Sequence, residues 1–176
     1  QGSKQPFSLG GLIDWGLNDF PMAKNIFLQY QAATPQLYAA ANKLNQILRD
    51  YPEAQISLYA HSLGGMDAQF ALANVTDPSR IKEAHIYQTP NIYMQLTPAQ
   101  KKTVDLLKYR IHNYVDDMDI VALAYPKSGS ENSVGIVHHV DANAVNNPIS
   151  QHMWGGYDYK AGYLNVKEES LDDYRL

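Results

Sequence analysis

Ile56-Ser57-Leu58-Tyr59-Ala60-His61-Ser62-Leu63-Gly64-Gly65-Met66-Asp67-Ala68-Gln69-Phe70-Ala71-Leu72-Ala73-Asn74-Val75 is the stretch on which the reading turns. It opens with a short β-rich run, 56–60, passes through a tight turn and continues from Met66 to Val75 with high helix propensity. Ala60-His61-Ser62-Leu63-Gly64 fits the G-x-S-x-G nucleophile elbow, with Ala in the first place. So sharp a strand-to-helix reversal strains the serine backbone. It asks for small residues two before and two after, where strand and helix approach closely. Ala60 adds one methyl to Gly, and Gly64-Gly65 follow the serine. The start of the helix aims backbone N–H groups at the point where negative charge develops. Ser62 is therefore the candidate nucleophile, and the Leu63 N–H is the expected oxyanion donor. The competing reading is a Gly-rich turn whose serine only caps a helix. The strand before and the helix after favour the elbow.

Upstream, Thr34-Pro35 predicts a helix start, with Thr as cap and Pro in the first helical position. Leu37, Ala40, Ala41, Leu44, Ile47 and Leu48 recur at helical spacing until Tyr51-Pro52 stops the helix. Downstream, Glu83 to Gln88 predicts a strand, Thr97-Pro98 a capped helix to about Lys108, and Tyr109 to Val115 a third strand. That strand ends in Asp116-Asp117-Met118-Asp119, and Val134 to Val140 predicts a fourth. Residues 1–33 read mostly as loop, and the Gly- and Tyr-rich tail from Asn146 gives no assignment. Strands alternating with helices imply βαβ units, so the fold class is α/β with a mostly parallel sheet flanked by helices. In such sheets reactive groups gather at the carboxyl ends of the strands. Ser62 and the acidic cluster both follow a predicted strand.

The chain has 176 residues, enough for a single domain spanning 1–176 with one sizeable core. Hydrophobic residues at 45% and charged residues at 18% describe a globular composition. A net charge of −4 offers no basic patch for nucleic acid. The absence of cysteine excludes disulfides, thiolate metal sites and a cysteine nucleophile. No run approaches a membrane span. No targeting signal is legible, so localisation stays open.

A serine nucleophile needs a histidine within hydrogen-bond reach, and that histidine needs an acid that fixes its tautomer. In α/β-hydrolases the chain order is Ser, acid, His. Asp116, Asp117 and Asp119 all lie downstream of Ser62, after a predicted strand. Asp117 also suits a solvated acidic turn. Of six histidines, His61 lies inside the elbow with its side chain directed away from the serine Oγ, as a packing or support residue. His85 and His112 lie within predicted strands, as core histidines. His138, His139 and His152 follow the acid. The pair His138-His139 sits near the end of a strand, which puts one of the two toward solvent. No spaced His or Glu pattern beside that pair supports a metal site, and no cofactor is called for.

Leu58-Tyr59-Ala60-His61-Ser62-Leu63-Gly64-Gly65 resembles the class 3 lipase family of the α/β-hydrolase superfamily, in particular its bacterial lipase-like branch. Gly2-Ser3 resembles the family's F-R-G-[ST] segment, and Asp14-Trp15 the Asp-Trp or Asn-Trp pair that follows it. Gln88-Thr89-Pro90-Asn91 resembles the G-x-P-R-x-G strand end, without its Arg and final Gly. Asp119-Ile120-Val121, with Pro126 beyond, resembles the D-x-V-P-x-L-P segment that carries the family's acid. The resemblance thus selects Asp119 over Asp116. It favours His152, in a C-terminal loop before an aromatic, over His138 and His139. It assigns a second oxyanion donor to the Ser3 backbone N–H. It also implies that residues 6–30 form an apolar lid or acyl-binding wall, the alternative being that they cover the core. Because family core strands precede the Gly2 segment, the chain is expected to be an N-terminally truncated fragment lacking its first strands. The implied activity is hydrolysis of carboxylic esters, of lipids above all, as in a lipase or phospholipase A, with transient contact at a lipid interface. Other readings are a small-acyl esterase or thioesterase, and a hydrolase-fold binding or toxin-delivery module with little catalysis.

Overall fold

The computed structural model describes residues 34–122, 124–145 and 147–167. Helix α1, Thr34–Asp50, starts where Thr34-Pro35 predicts and buries Leu37, Ala41, Leu44 and Leu48 along one face. The spacing of 4, 3 and 4 residues is that of a helical stripe facing a core. Pro52 has no N–H to continue the ladder, and the chain turns there into strand β1, Ile56–His61.

After β1 comes Ser62, then helix α2, Leu63–Ala73. The helix begins three residues before the predicted Met66, since Gly64-Gly65 have poor helix propensity but are carried by the turn itself. Asn45 on α1 ties the far end of α2 down: its amide donates to the Asn74 carbonyl and its oxygen accepts from the Thr76 N–H. Strand β2, Ile81–Tyr87, starts two residues earlier than predicted. Helix α3, Pro98–Leu106, has the full capping box: the Gln100 N–H donates to the Thr97 hydroxyl, and the Thr97 N–H donates to the Gln100 side chain. Strand β3, Ile111–Val115, is shorter than predicted because Tyr109 and Arg110 lie in a 3₁₀ turn. Strand β4 is Ile136–His139.

The four strands form one sheet in the order β1-β2-β3-β4, every neighbouring pair parallel. Because every pair is parallel, all four carboxyl ends reach the same edge. One sheet face carries Leu58, Ala84, Ile86 and Ile111 and merges with Leu44, Leu72 and Val104 from the three helices, and with Leu107 just after α3, into a single apolar core. The opposite face carries rings. Tyr59 stacks on His85 at 5.3 Å, His85 on His112 at 5.3 Å, and His112 on His138 at 5.3 Å. The strand register produces this row, since Tyr59, His85 and His112 are directly paired neighbours. His85 and His112 therefore belong to this ring-bearing face and not to the apolar core. Among the described residues β1 is an edge strand, and Tyr59 on it is exposed.

The tail, unassigned from sequence, holds a helical turn at Pro148–Ser150, a wider π-type turn at Gln151–Gly155, and a small hairpin pairing Tyr159–Lys160 with Tyr163–Leu164. Ala161 and Gly162 both have positive φ at the hairpin tip, as a type I′ turn requires. Among the described residues, no helix is long and apolar enough to cross a membrane.

The close approach at the elbow falls on Gly65 rather than Gly64. A Cβ on Gly65 would lie 1.7 Å from Thr89 Oγ1, whereas one on Gly64 meets nothing within 4 Å among the described residues. Gly65→Ala must push away the Thr89 side chain, which donates to the Ser62 carbonyl. We expect Gly65→Ala to lower stability by about 1–3 kcal/mol, the usual cost of overpacking, measured by urea denaturation. Gly64→Ala should be neutral or slightly stabilising, since Ala is the better helix former, and a gain in stability for Gly65→Ala as well would show that helix propensity outweighs the approach of Thr89.

Candidate active site

Ser62 stands between β1 and α2 with φ 56 and ψ −129, a conformation that costs a non-glycine residue of order 1–3 kcal/mol. Contacts from the β2 end hold it there. The Ser62 N–H donates to the Tyr87 carbonyl (3.0 Å), and the Ser62 carbonyl accepts from Thr89 Oγ1 (2.8 Å) and the Gly65 N–H (2.9 Å). The backbone is thus pinned from the neighbouring strand, and the side chain is left to project at the carboxyl edge. Leu63 is the first residue of α2, so its N–H has no acceptor within the helix.

Asp119 lies in the turn after β3. Its Oδ1 accepts from the Val121 N–H (2.9 Å), its Oδ2 accepts from His152 Nδ1 (2.7 Å), and its side chain is fully buried. A carboxylate can only accept, so Nδ1 carries the proton. The lone pair of the neutral ring then sits on Nε2, 2.8 Å from Ser62 Oγ. The structure brings Ser62, His152 and Asp119 into one hydrogen-bonded chain, and the bond to the Asp119 carboxylate has the length expected of a charge-assisted one. Each member comes from a different carboxyl-end segment, after β1, β3 and β4.

Asp116, the rival acid, lies elsewhere and binds the His152 turn by another route. Its buried carboxylate accepts from the Met118 N–H (2.9 Å) and from Gln151 Nε2. Gln151 also accepts from the Val145 N–H (2.8 Å) and donates to the Asn143 carbonyl (3.1 Å). The residue next to His152 is therefore anchored to the end of β3. Asn147 caps the same turn by accepting from the Ile149 and Ser150 N–H groups. Gln88, at positive φ after β2, accepts from the Asp116 N–H (2.9 Å). Gln69 and Asn91 peg the loops nearby in the same way. Sequence reasoning passes over these buried amides, because a single polar side chain, in a loop or on a helix as Gln69 is, carries no periodic signal.

One expectation for the remaining groups needs correction. His138 and His139 are both buried, at 5% and 6% exposure, so neither faces solvent. β4 is covered on both faces, which alternation cannot reveal. His138 Nε2 lies 3.0 Å from His112 Nδ1, and His139 Nδ1 donates to Asp117 (2.7 Å). Asp117 lies exposed in the turn, as expected of a solvated acidic residue, but is ion-paired there, since Lys167 also donates to it (2.6 Å). His139, Asp117 and Lys167 line a cavity of about 470 Å³ to which Ser62 does not contribute. His61 matches the support reading: its Nε2 donates to the His152 carbonyl (2.9 Å). Burial, above all, pushes its pKa down. Burial likewise raises the Tyr157 phenol, with Asp116 and Asp119 adding to the rise, so it stays protonated. Ser3, Gly2, Asp14-Trp15 and residues 6–30 lie outside the described residues. Among the described residues no three His, Asp or Glu side chains group to hold a metal.

Fold and site together define a parallel α/β protein with a Ser–His–Asp chain built at the carboxyl ends of its strands. The chain belongs to the Mbeg1-like family, which it matches over residues 12–170. No curated protein and no solved structure matches it.

The hydrogen bond from His139, with Lys167 beside it, brings the Asp117 pKa down from 3.8 to about 2. A lowered folded-state value stabilises the fold above the unfolded pKa, and that stability is lost as pH falls through the folded one. Asp117→Asn should therefore flatten the fall in denaturation midpoint between about pH 4 and pH 2. The effect is reduced by solvent, since the Asp117 side chain is 47% exposed. Identical acid limbs for variant and wild type would remove Asp117 from the acid response.

Proposed function

We propose that the protein is a serine hydrolase of the α/β-hydrolase type that cleaves carboxylic esters through an acyl-Ser62 intermediate. The observation that carries this reading is the chain Asp119 Oδ2–His152 Nδ1 at 2.7 Å and His152 Nε2–Ser62 Oγ at 2.8 Å. The order Ser62, Asp119, His152 along the sequence is that of the α/β-hydrolases. Ser62 at positive φ between a parallel strand and a helix agrees with the strained nucleophile elbow of that fold.

In the proposed reaction His152 Nε2 takes the proton of Ser62 as Oγ attacks the ester carbonyl. Asp119 stabilises the imidazolium that forms. The Leu63 N–H, at the start of α2, donates to the oxyanion, and the Ser3 N–H is the proposed second donor. The imidazolium then returns its proton to the leaving alcohol. A water activated by the same Nε2 attacks the acyl-serine, and carboxylate and free Ser62 result. Every proton in this scheme moves between substrate, water, Ser62 and His152, with no cofactor. The resemblance of Leu58 to Gly65 to the class 3 lipases supports a lipid ester as substrate, taken up at a lipid interface. Exposed Met153 and Trp154 beside His152 agree with an apolar approach to the site.

A fluorophosphonate probe should label Ser62 in the wild type and nothing in Ser62→Ala. Removing Ser62 or His152 should each lower kcat by about 10⁴–10⁶, and the double variant should be hardly worse than either, since such groups act as a unit. Asp119→Asn should lose roughly 10⁴ by disturbing the imidazole tautomer. His138→Ala and His139→Ala should keep most activity where they fold. Substantial turnover by purified Ser62→Ala would sink the mechanism. Higher kcat/KM on short acyl or thioester substrates than on phospholipids and long-chain esters would reject the lipid assignment alone.

A further inference from the structure

We propose that His61 is a positioning residue that holds His152 in line with Ser62 and Asp119. Its catalytic consequence rests on the hydrolase reading, while its geometric content stands without it.

His61 is the last residue of β1, paired in register with Tyr87 on β2, so its backbone is fixed by the sheet. Its Nε2 lies 2.9 Å from the His152 carbonyl oxygen. A carbonyl only accepts, so Nε2 carries a proton and donates. The His61 ring also meets the His152 ring at 4.8 Å and the Trp154 indole at 4.5 Å.

The segment so gripped has weak support of its own. Met153 (φ −98, ψ 41) and Trp154 (φ 71, ψ 1) break the helical conformation directly after His152. On the other side Gln151 is bound to Asp116, which anchors the turn to the end of β3. His152 therefore sits between two tethers, one to the acid-bearing segment and one to the residue next to the nucleophile. Trp154 packs edge-on against Tyr87 at 5.2 Å and Tyr157 at 5.3 Å, which extends the grip to β2 and to the segment just before the tail hairpin. A displacement of His152 by even about 1 Å can cost on the order of 10²-fold in rate. The His61 donor joins the base's own backbone to the nucleophile's neighbour, so that any movement of one carries the other with it.

Two variants separate the parts of the clamp. His61→Phe keeps an aromatic ring and deletes the donor. His61→Gln gives up the ring and restores an N–H at similar reach. Three readouts apply: the rate of fluorophosphonate labelling of Ser62, kcat and KM on p-nitrophenyl butyrate, and the far-downfield proton resonance of the His152 Nδ1–H bonded to Asp119. For His61→Phe we expect labelling and kcat to fall about tenfold, the loss of one well-placed hydrogen bond, with KM little changed and the resonance broadened by solvent exchange. His61→Gln should recover labelling to within about threefold and restore the resonance. Measurements well below both melting midpoints keep a loss of stability from imitating this pattern. Wild-type labelling together with an intact resonance in His61→Phe would overturn the proposal. If His61→Phe does not fold, His61→Leu takes its place in the same comparison. If the wild type is not labelled at all, the hydrolase reading falls, and the resonance in the variants decides the positioning role by itself.

Discussion

Ser62 is held at φ 56 between a strand and a helix by groups belonging to the next strand, and most of the site's geometry follows from that. An L-residue does not adopt this conformation unaided. Tyr87 and Thr89, at the end of β2, bind the Ser62 N–H and carbonyl and so offset the strain. For this to work β1 and β2 must be parallel and in register, as the pairing His61↔Tyr87 provides. Thr89 must also reach across without meeting a side chain, and Gly65 leaves that room. Turn, register and glycine therefore depend on one another, and a change in any of them reaches Ser62.

A second layer of order comes from buried amides. The carboxyl edge of the sheet is made of loops, and loops carry backbone groups that burial would leave unpaired. Gln69, Gln88, Asn91 and Gln151 take up several of these groups, each bridging segments distant in sequence. An amide both donates and accepts, so one side chain can fix two loops at once. Asp116 and Gln151 show what this achieves: the segment bearing Asp119 and the turn bearing His152 are joined to one another by a bond that does not involve Ser62.

The sheet has two unlike faces. The helix side is aliphatic and buries through ordinary apolar packing. The other side is a surface of histidine and tyrosine rings aligned by the register, reaching from Tyr59 to His138. His61 belongs to this second face by alternation along β1, and this directs its side chain away from the core and toward the turn of His152. The residue that tethers the proposed base is thus directed by the same pleat that directs the rest of the row.

Local chemistry alone determined a good part of this protein. The elbow around Ser62 is legible because the strand-to-helix turn tolerates so few residue types. The helices at Thr34 and Thr97 are legible because Thr-Pro caps and apolar periodicity are local, and α/β alternation follows from them. The proposed acid and base were less accessible. Asp116, Asp117 and Asp119 are alike in sequence, and the structure separates them by what each one meets: Gln151, His139 with Lys167, and His152. His138 and His139 offered the same residue type as His152 in a better-defined strand, but a strand covered on both faces takes both out of reach. The π-type turn at Gln151–Gly155 has no periodicity to read, since it is maintained by side chains from β1 and the end of β3. Which carboxylate faces which imidazole is settled by contacts between residues 22 and 33 positions apart, and the serine that meets His152 lies 90 positions away from it. Those contacts exist only once the parallel sheet has brought its strand ends to one edge, and no local pattern encodes them.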